Sequence, residues 1–447
     1  MSHIKTEIEP FAIEHATVAT GDEDGRTLHD STIVVDGLGR IRTVGPSSEV
    51  IVPPGYHKID ATGKVVSPGM INGHVHTFSK GKPLDPEGST PEGQRKAAKL
   101  AHSPIGKAAM YANSRSNVMT LLNSGVTTIR TVGDVGYENA TLRDRIEAGR
   151  EVGPRILPSG PMLAIPDGHG APLLALESTT PEEARRNAET NIDHGATALK
   201  IAATGGVTDS QVLGEAGAPQ MTIEDMSAIC ETAHANDIIV AAHAQSREGV
   251  FRALKAGVDT IEHGCELDDE LIDLFLNNPR SLRGYSALEP TLSAGLPMKF
   301  LSQEALHMTD IQMANSVDVV KGMVNGTQQA HRAGIKVGVG TDTAMPFVTQ
   351  YGTWREMYLL VRFGGFTPAE AFHAGTQVTA EIIGVSDVTG SLEEGKYADL
   401  LVLDENPVDN LRTLEHPLLV VAAGHPVWHP HVERFADIDA ELDEAYK

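Results

Sequence analysis

A chain of 447 residues with 40% hydrophobic and 21% charged content can bury a large core, and its length predicts one big domain plus a smaller one. Acidic residues outnumber basic ones by 60 to 36, and a net charge of −24 argues against a nucleic-acid or anionic-membrane partner, because either would be repelled. The only cysteines, Cys230 and Cys265, are too few for a disulfide framework, and each reads as a small buried thiol.

Residues 1–7 contain no apolar signal-like run, and no uninterrupted apolar stretch approaches the about 18 residues that a membrane span requires. The expectation is a soluble, cytoplasmic, homo-oligomeric protein acting on a small molecule. Short apolar runs at residues 16–19, 31–35 and 41–44 are split by Gly, Asp and Pro turn signals, the spacing of a small antiparallel β unit. From residue 66 the texture changes, and strand-like runs alternate with helical stretches. Candidate strands cover residues 64–71, 126–130, 155–158, 198–201, 238–242, 259–262, 287–292 and 336–340, with helices between them such as 181–194 and 223–235. Eight such units predict an α/β fold of the closed (β/α)8 TIM-barrel type. No Gly-rich dinucleotide turn and no Walker-type Gly-Lys-Ser/Thr occurs, so no nucleotide cofactor is expected.

Short strands are predicted again at 389–392, 398–403 and 418–421. Two β-rich ends flanking one barrel are expected to pair into a small β-sandwich. The predicted organisation is therefore an N-terminal sandwich segment at 1–66, the barrel at 67–385 and a C-terminal sandwich segment at 386–432. An acidic, helix-prone tail follows at 433–447 and reads as a solvated surface helix.

The stretch 66–76 ends in His74 and His76, spaced i, i+2, which puts both imidazoles on one side of a strand. In a barrel the C-terminal ends of all strands converge on one face. Lys200 lies within the fourth candidate strand, His243 ends the fifth, His263 ends the sixth and Asp342 follows the eighth. Each has an ordinary alternative, a satisfied core histidine or a helix-capping aspartate. Together they point to a metal centre. A lysine inside an apolar strand is costly unless neutralised or paired. Imidazoles and a carboxylate suit a hard to borderline divalent ion, with zinc expected, and six groups accommodate two ions better than one. A carboxylate or carboxylated amine bridging two metals about 3.5–4 Å apart would clamp a shared hydroxide, and Asp342 is then positioned to accept its proton and pass it to the leaving group.

With these residues and the stretch Gly390-Ser391-Leu392-Glu393-Glu394-Gly395-Lys396-Tyr397-Ala398-Asp399-Leu400, the chain resembles the amidohydrolase superfamily over nearly its whole length. The resemblance implies that His74, His76 and Asp342 hold one metal, that His243 and His263 hold the second, and that Lys200 is carboxylated and bridges them. Residues 199–207, 241–244 and 257–264 resemble the branch containing Xaa-Pro dipeptidases and related metallocarboxypeptidases, and Lys200 argues against single-metal imidazolonepropionase-like and cytosine-deaminase-like members. The chain departs from that branch at Asn72, where Asp is common. It departs again at Asp167-Gly168-His169-Gly170, where relatives carry Gly-Gly-His-Gly, and in a longer stretch at 277–290.

The resemblance implies hydrolysis of an amide-type C–N bond in a dipeptide or N-acyl amino acid. A neutral urea, carbamate or anilide is the alternative substrate. A non-catalytic oligomeric scaffold is opposed by the presence of all six groups. Substrate choice is expected from loops 167–170 and 277–290 on the metal rim, with His169 and Tyr285 as substrate-binding residues and Arg130 and Arg283 as further candidates for anchoring a carboxylate.

Overall fold

Strands from both ends of the chain share one sheet in the computed structural model, which describes residues 7–83 and 91–447. Its order is His425–Trp428, Leu419–Ala422, Leu400–Leu403, Val65–Pro68, Phe11–Ala19, Thr27–Val35 and Ile41–Pro46, with His57–Asp60 also paired to Phe11–Ala19. Alternation of side chains explains how it packs. Ile33, Val35, Val66, Leu400 and Val402 point into one apolar cluster, whereas Val65, Leu401 and Leu403 point the other way, into the core of the large domain. Residues 1–6 of the predicted first segment lie outside the described residues.

The predicted strand 64–71 is two strands. Val65–Pro68 runs antiparallel to Leu400–Leu403, and Met70–Val75 runs parallel to Val126–Thr131. The chain changes sheets at Gly69, where a Cβ would lie 2.3 Å from Thr127 Oγ1, so no larger residue fits the crossing.

The remaining strands form two parallel sheets. One holds Met70–Val75, Val126–Thr131 and Arg155–Leu157. The other runs Ala175–Glu177, Met162–Ala164, Ala198–Ala202, Ile239–Ala244, Thr260–His263 and Ala287–Glu289. Apart from the edge strand Ala175–Glu177 these strands are buried, as expected when helices cover a parallel sheet. Met162–Ala164 and Ala175–Glu177, of three residues each, were not predicted. The predicted strand 287–292 shortens to Ala287–Glu289, residues 336–340 make only the single bridge Leu288 to Val337, and 389–392 forms no strand.

Helices Pro181–Asp193 and Ile223–His234 match their predicted spans, each started by a threonine whose side chain accepts a backbone N–H, Thr180 from Glu183 and Thr222 from Asp225. The acidic tail differs from expectation. Its helix Ala436–Ala445 buries Ile438 and Leu442, and Asp443 Oδ1 accepts from Arg355 at 2.7 Å, so apolar and ionic contacts dock it on the large domain. Cys230 and Cys265 are free and buried. No helix among the described residues is long and apolar enough to cross a membrane.

Candidate active site

The parallel register aligns the predicted ligands. Lys200 pairs with Ala241, His243 with Ala202, and His263 with Ala244, so the three strands bring their chemical groups to adjoining levels of one rim. His74, His76, Lys200, His243, His263 and Asp342 all line one cavity of about 470 Å³. Ligand atoms of His74, His76 and Asp342 lie within 4.8 Å of one another, with Asp342 Oδ1 at 3.2 Å from His76 Nε2 and 3.5 Å from His74 Nε2. The His243 and His263 rings stand 4.5 Å apart, and His263 is 5.2 Å from His74.

Each imidazole has one nitrogen committed away from the cavity. His74 Nδ1 lies 2.6 Å from Glu262 Oε2, His76 Nδ1 lies 2.9 Å from the Gly133 carbonyl, and His263 Nδ1 lies 2.7 Å from Thr291 Oγ1. His243 uses Nε2, 3.3 Å from the Gly205 carbonyl. The opposite nitrogens remain for a ligand, and such bonds are what fix the ring orientation of metal-binding histidines. Burial lowers the pKa of His76 and drives His243 and His263 well below the ordinary histidine value, which keeps them neutral and able to coordinate. Burial opposes ionisation of Asp342, yet His74 and His76 hold its carboxyl well below the usual carboxylate range. Burial also draws the Lys200 amine down to about 8, against the opposing pull of Glu262 and Asp342.

The backbone is strained where the rim is built. His263, Thr291 and Asp342 occupy left-handed conformations with φ of 70°, 50° and 60°. Each costs about 1–3 kcal/mol for a non-glycine residue and persists only where surroundings enforce it. The Asp342 N–H donates to the His74 carbonyl at 2.9 Å, which ties the two ligand-bearing segments together. Asn72 accepts from the backbone N–H groups of His74 and Thr341 and donates to the Thr341 and Thr353 hydroxyls, a set of bonds that an amide, with both donor and acceptor atoms, satisfies.

The structure sorts the substrate candidates. His169 lines the cavity, its ring stacked 4.0 Å from His243 and its Nδ1 2.7 Å from Asp209 Oδ2. Tyr285 does not line it. Ala287 pairs with Thr260, at the start of the strand that ends in His263, so Tyr285 and residues 277–286 lie at the N-terminal ends of the strands, away from the metal rim. The expectation that this stretch shapes the rim is thereby corrected: a segment that leads into a parallel strand belongs to the opposite face. Arg130 is fully buried, donating to the Gly73 carbonyl, Thr260 and Glu262, and Arg283 donates to the carbonyls of Glu381 and Ile382.

Sequence reasoning missed Glu262, which holds both His74 and Arg130, and Asp209, which orients His169. Glu262 was legible in principle, since it directly precedes His263, but its role depends on a partner 132 residues away. Also missed was Glu289, fully buried with neither carboxylate oxygen hydrogen-bonded among the described residues. Gly73, Gly338 and Gly340 surround it, and a Cβ on any of them would come within 2.9 Å of its carboxylate.

The sequence profile of the Amidohydrolase family matches residues 65–427. The chain belongs to the amidohydrolase family. A crystal structure of a candidate prolidase from Bifidobacterium longum is 57% identical to this amidohydrolase, with a TM-score of 0.88 over 99% of this chain and 100% of that one. A crystal structure of a Xaa-Pro dipeptidase with methionine bound in its active site is 27% identical, with a TM-score of 0.80 over 94% of this chain and 100% of the other. Ochratoxinase from Aspergillus niger is 27% identical across 89% of this chain and 82% of that protein. This amidohydrolase is an enzyme of hydrolase type, and the His74, His76 and Asp342 group is its feature that meets the family's general dependence on divalent metals.

Proposed function

We propose that this amidohydrolase cleaves the amide bond of a dipeptide or N-acyl amino acid, with two divalent ions, zinc by preference, held by His74, His76 and Asp342 on one side and His243 and His263 on the other. The observation that carries the reading is the convergence of these five side chains and Lys200 on one cavity, with the outward ring nitrogens already bonded to protein groups. The 57% identity to a candidate prolidase supports the same substrate class. Lys200 is the bridging group we assign, as its carbamate. Burial draws its amine to about 8, so a neutral fraction able to add carbon dioxide exists near neutral pH.

Bound divalent ions supply a water of lowered pKa and a polarised substrate carbonyl. The chain's own residues do the rest. Asp342 is kept ionised by His74 and His76 and serves as proton acceptor, returning the proton to the leaving amine. His169, oriented by Asp209, stands over His243, where it can donate to the substrate carbonyl.

We also read the strands as a closed (β/α)8 barrel at 67–385 and the terminal segments 1–66 and 386–432 as one small β-sandwich domain. The bridge from Leu288 to Val337 and the bond from Gly73 N–H to the Val339 carbonyl support closure through residues 336–340. Free, buried Cys230 and Cys265 agree with a reducing, cytoplasmic setting.

The apolar part of the cavity wall favours a neutral urea, carbamate or anilide as the second reading. A hydrolysis screen of dipeptides and N-acyl amino acids against phenylureas and carbamates separates the two, with metal content measured on the same preparation. Turnover confined to the neutral compounds overturns the first reading, and full activity after exhaustive chelation overturns the metal assignment.

A further inference from the structure

A protein of net charge −24 repels an anionic substrate, so a free carboxylate needs a local cation to hold it. The cations that the sequence offered are committed elsewhere. Arg130 lies sealed beneath the rim on Glu262, and Arg283 caps carbonyls at residues 381 and 382. His169 is paired with Asp209, and the other acid on the cavity, Asp342, is paired with two histidines.

Lys82 differs from all of these. It lines the same cavity with an exposed side chain, and it makes no ion pair among the described residues. Its ammonium stands 4.8 Å from the centroid of the Phe435 ring, a contact that restrains the side chain without neutralising its charge. Phe435 is itself fixed, because its N–H donates to the Tyr351 hydroxyl at 2.7 Å. The docked tail therefore holds a cation at the cavity wall. The same lining carries the apolar side chains Met162, Met298, Val319, Val320 and Met323, and unbranched methionines adapt to side chains of different shape. A cation without an ion pair among the described residues and an adaptable apolar surface on the same cavity match an amino-acid end that carries a carboxylate and an apolar side chain.

We propose that Lys82 binds the free carboxylate of the substrate and that the methionine-rich wall receives its apolar side chain. The assignment rests on the amide-hydrolase reading above, and it makes the preferred substrates N-acyl or N-aminoacyl derivatives of apolar amino acids.

The test uses the full-length, metal-loaded enzyme with N-acetyl-L-leucine and its neutral carboxamide, measured both by hydrolysis and by calorimetric binding at low and high salt. Lys82→Met is expected to weaken binding of the carboxylate and raise its KM by about 10- to 100-fold, with kcat changed by less than about threefold. The carboxamide should be unaffected, and Lys82→Arg should recover most of the loss. Salt should weaken carboxylate binding in the parent and much less in Lys82→Met. Phe435→Leu, with folding checked by its melting temperature, should give a smaller KM increase of about two- to fivefold. Equal carboxylate affinity in parent and Lys82→Met overturns the proposal, as does a parent that binds acid and carboxamide equally. If no amide is hydrolysed while Lys82-dependent carboxylate binding persists, the amide-hydrolase reading fails and the Lys82 assignment stands.

Discussion

The two ends of the cavity are built on opposite physical plans. At the ligand end every imidazole is bonded on its outer nitrogen, the backbone is strained at His263, Thr291 and Asp342, and Glu262 ties His74 to a sealed arginine. On the substrate side the lining includes methionines and valines, and Lys82, which makes no ion pair among the described residues, rests on an aromatic ring. Polar bonds in a dry interior are directional and expensive to leave unmade, so the first end tolerates one geometry. Dispersion contacts are individually weak and adjustable, so the second can accept related shapes. The chemistry is held rigid while the choice of substrate is left adaptable.

The largest effect should come from Asp342→Asn. Turnover is expected to fall by about 10²–10⁴-fold while metal content, read by elemental analysis, falls far less. An unchanged kcat would remove Asp342 as the proton acceptor. Next comes Glu262→Gln, which leaves Arg130 buried with a weaker partner and His74 less firmly oriented. A stability loss of up to about 3–5 kcal/mol by denaturant unfolding and a metal affinity lowered by about 10–100-fold are expected, and a variant matching the parent in both would show that this end is not rigidly coupled.

Glu289→Gln sharpens the comparison from below the rim. Burial pushes the Glu289 carboxyl up to about 8, with Glu262 and Glu356 adding to the shift and Arg130 opposing it. A folded-state pKa above the unfolded value near about 4.3 means that the parent has its full stability from this group below that pH and loses it as pH rises toward about 8. The neutral variant escapes the loss. Its melting temperature should exceed the parent's at pH 9, with the gap closing as pH falls toward about 4; the opposite slope would show that the carboxylate is stabilised in the interior. The smallest effect is expected from Met323→Ala at the adaptable end, where preference should move toward bulkier side chains by about tenfold or less with kcat nearly unchanged. A large kcat loss there would erase the distinction between the two ends.

The convergence of His74, His76, Lys200, His243 and His263 was legible because each belongs to a strand or follows one directly, and parallel strands deliver such positions to one rim; Asp342 joins them from a predicted strand that makes only the single bridge Leu288 to Val337. What supports them was not legible. Glu262 meets Arg130 across 132 residues and Glu289 fills a space left by three glycines, and neither relation leaves a periodic trace in the chain. Tyr285 was misassigned for a simpler reason: its segment precedes a strand, and chain direction alone carries it to the opposite face.

The sequence by itself therefore determined the alternation of strand and helix, the chemical type of the rim and the presence of free thiols, because these follow from spacing within short segments. Only the tertiary structure decided that Gly69 passes the chain from one sheet to another, that the acidic tail is docked rather than solvated, and that Lys82 reaches the cavity. Each of these depends on contacts between residues far apart in the chain. Phe435 holds Lys82 from more than three hundred residues away, a contact that no local periodicity encodes.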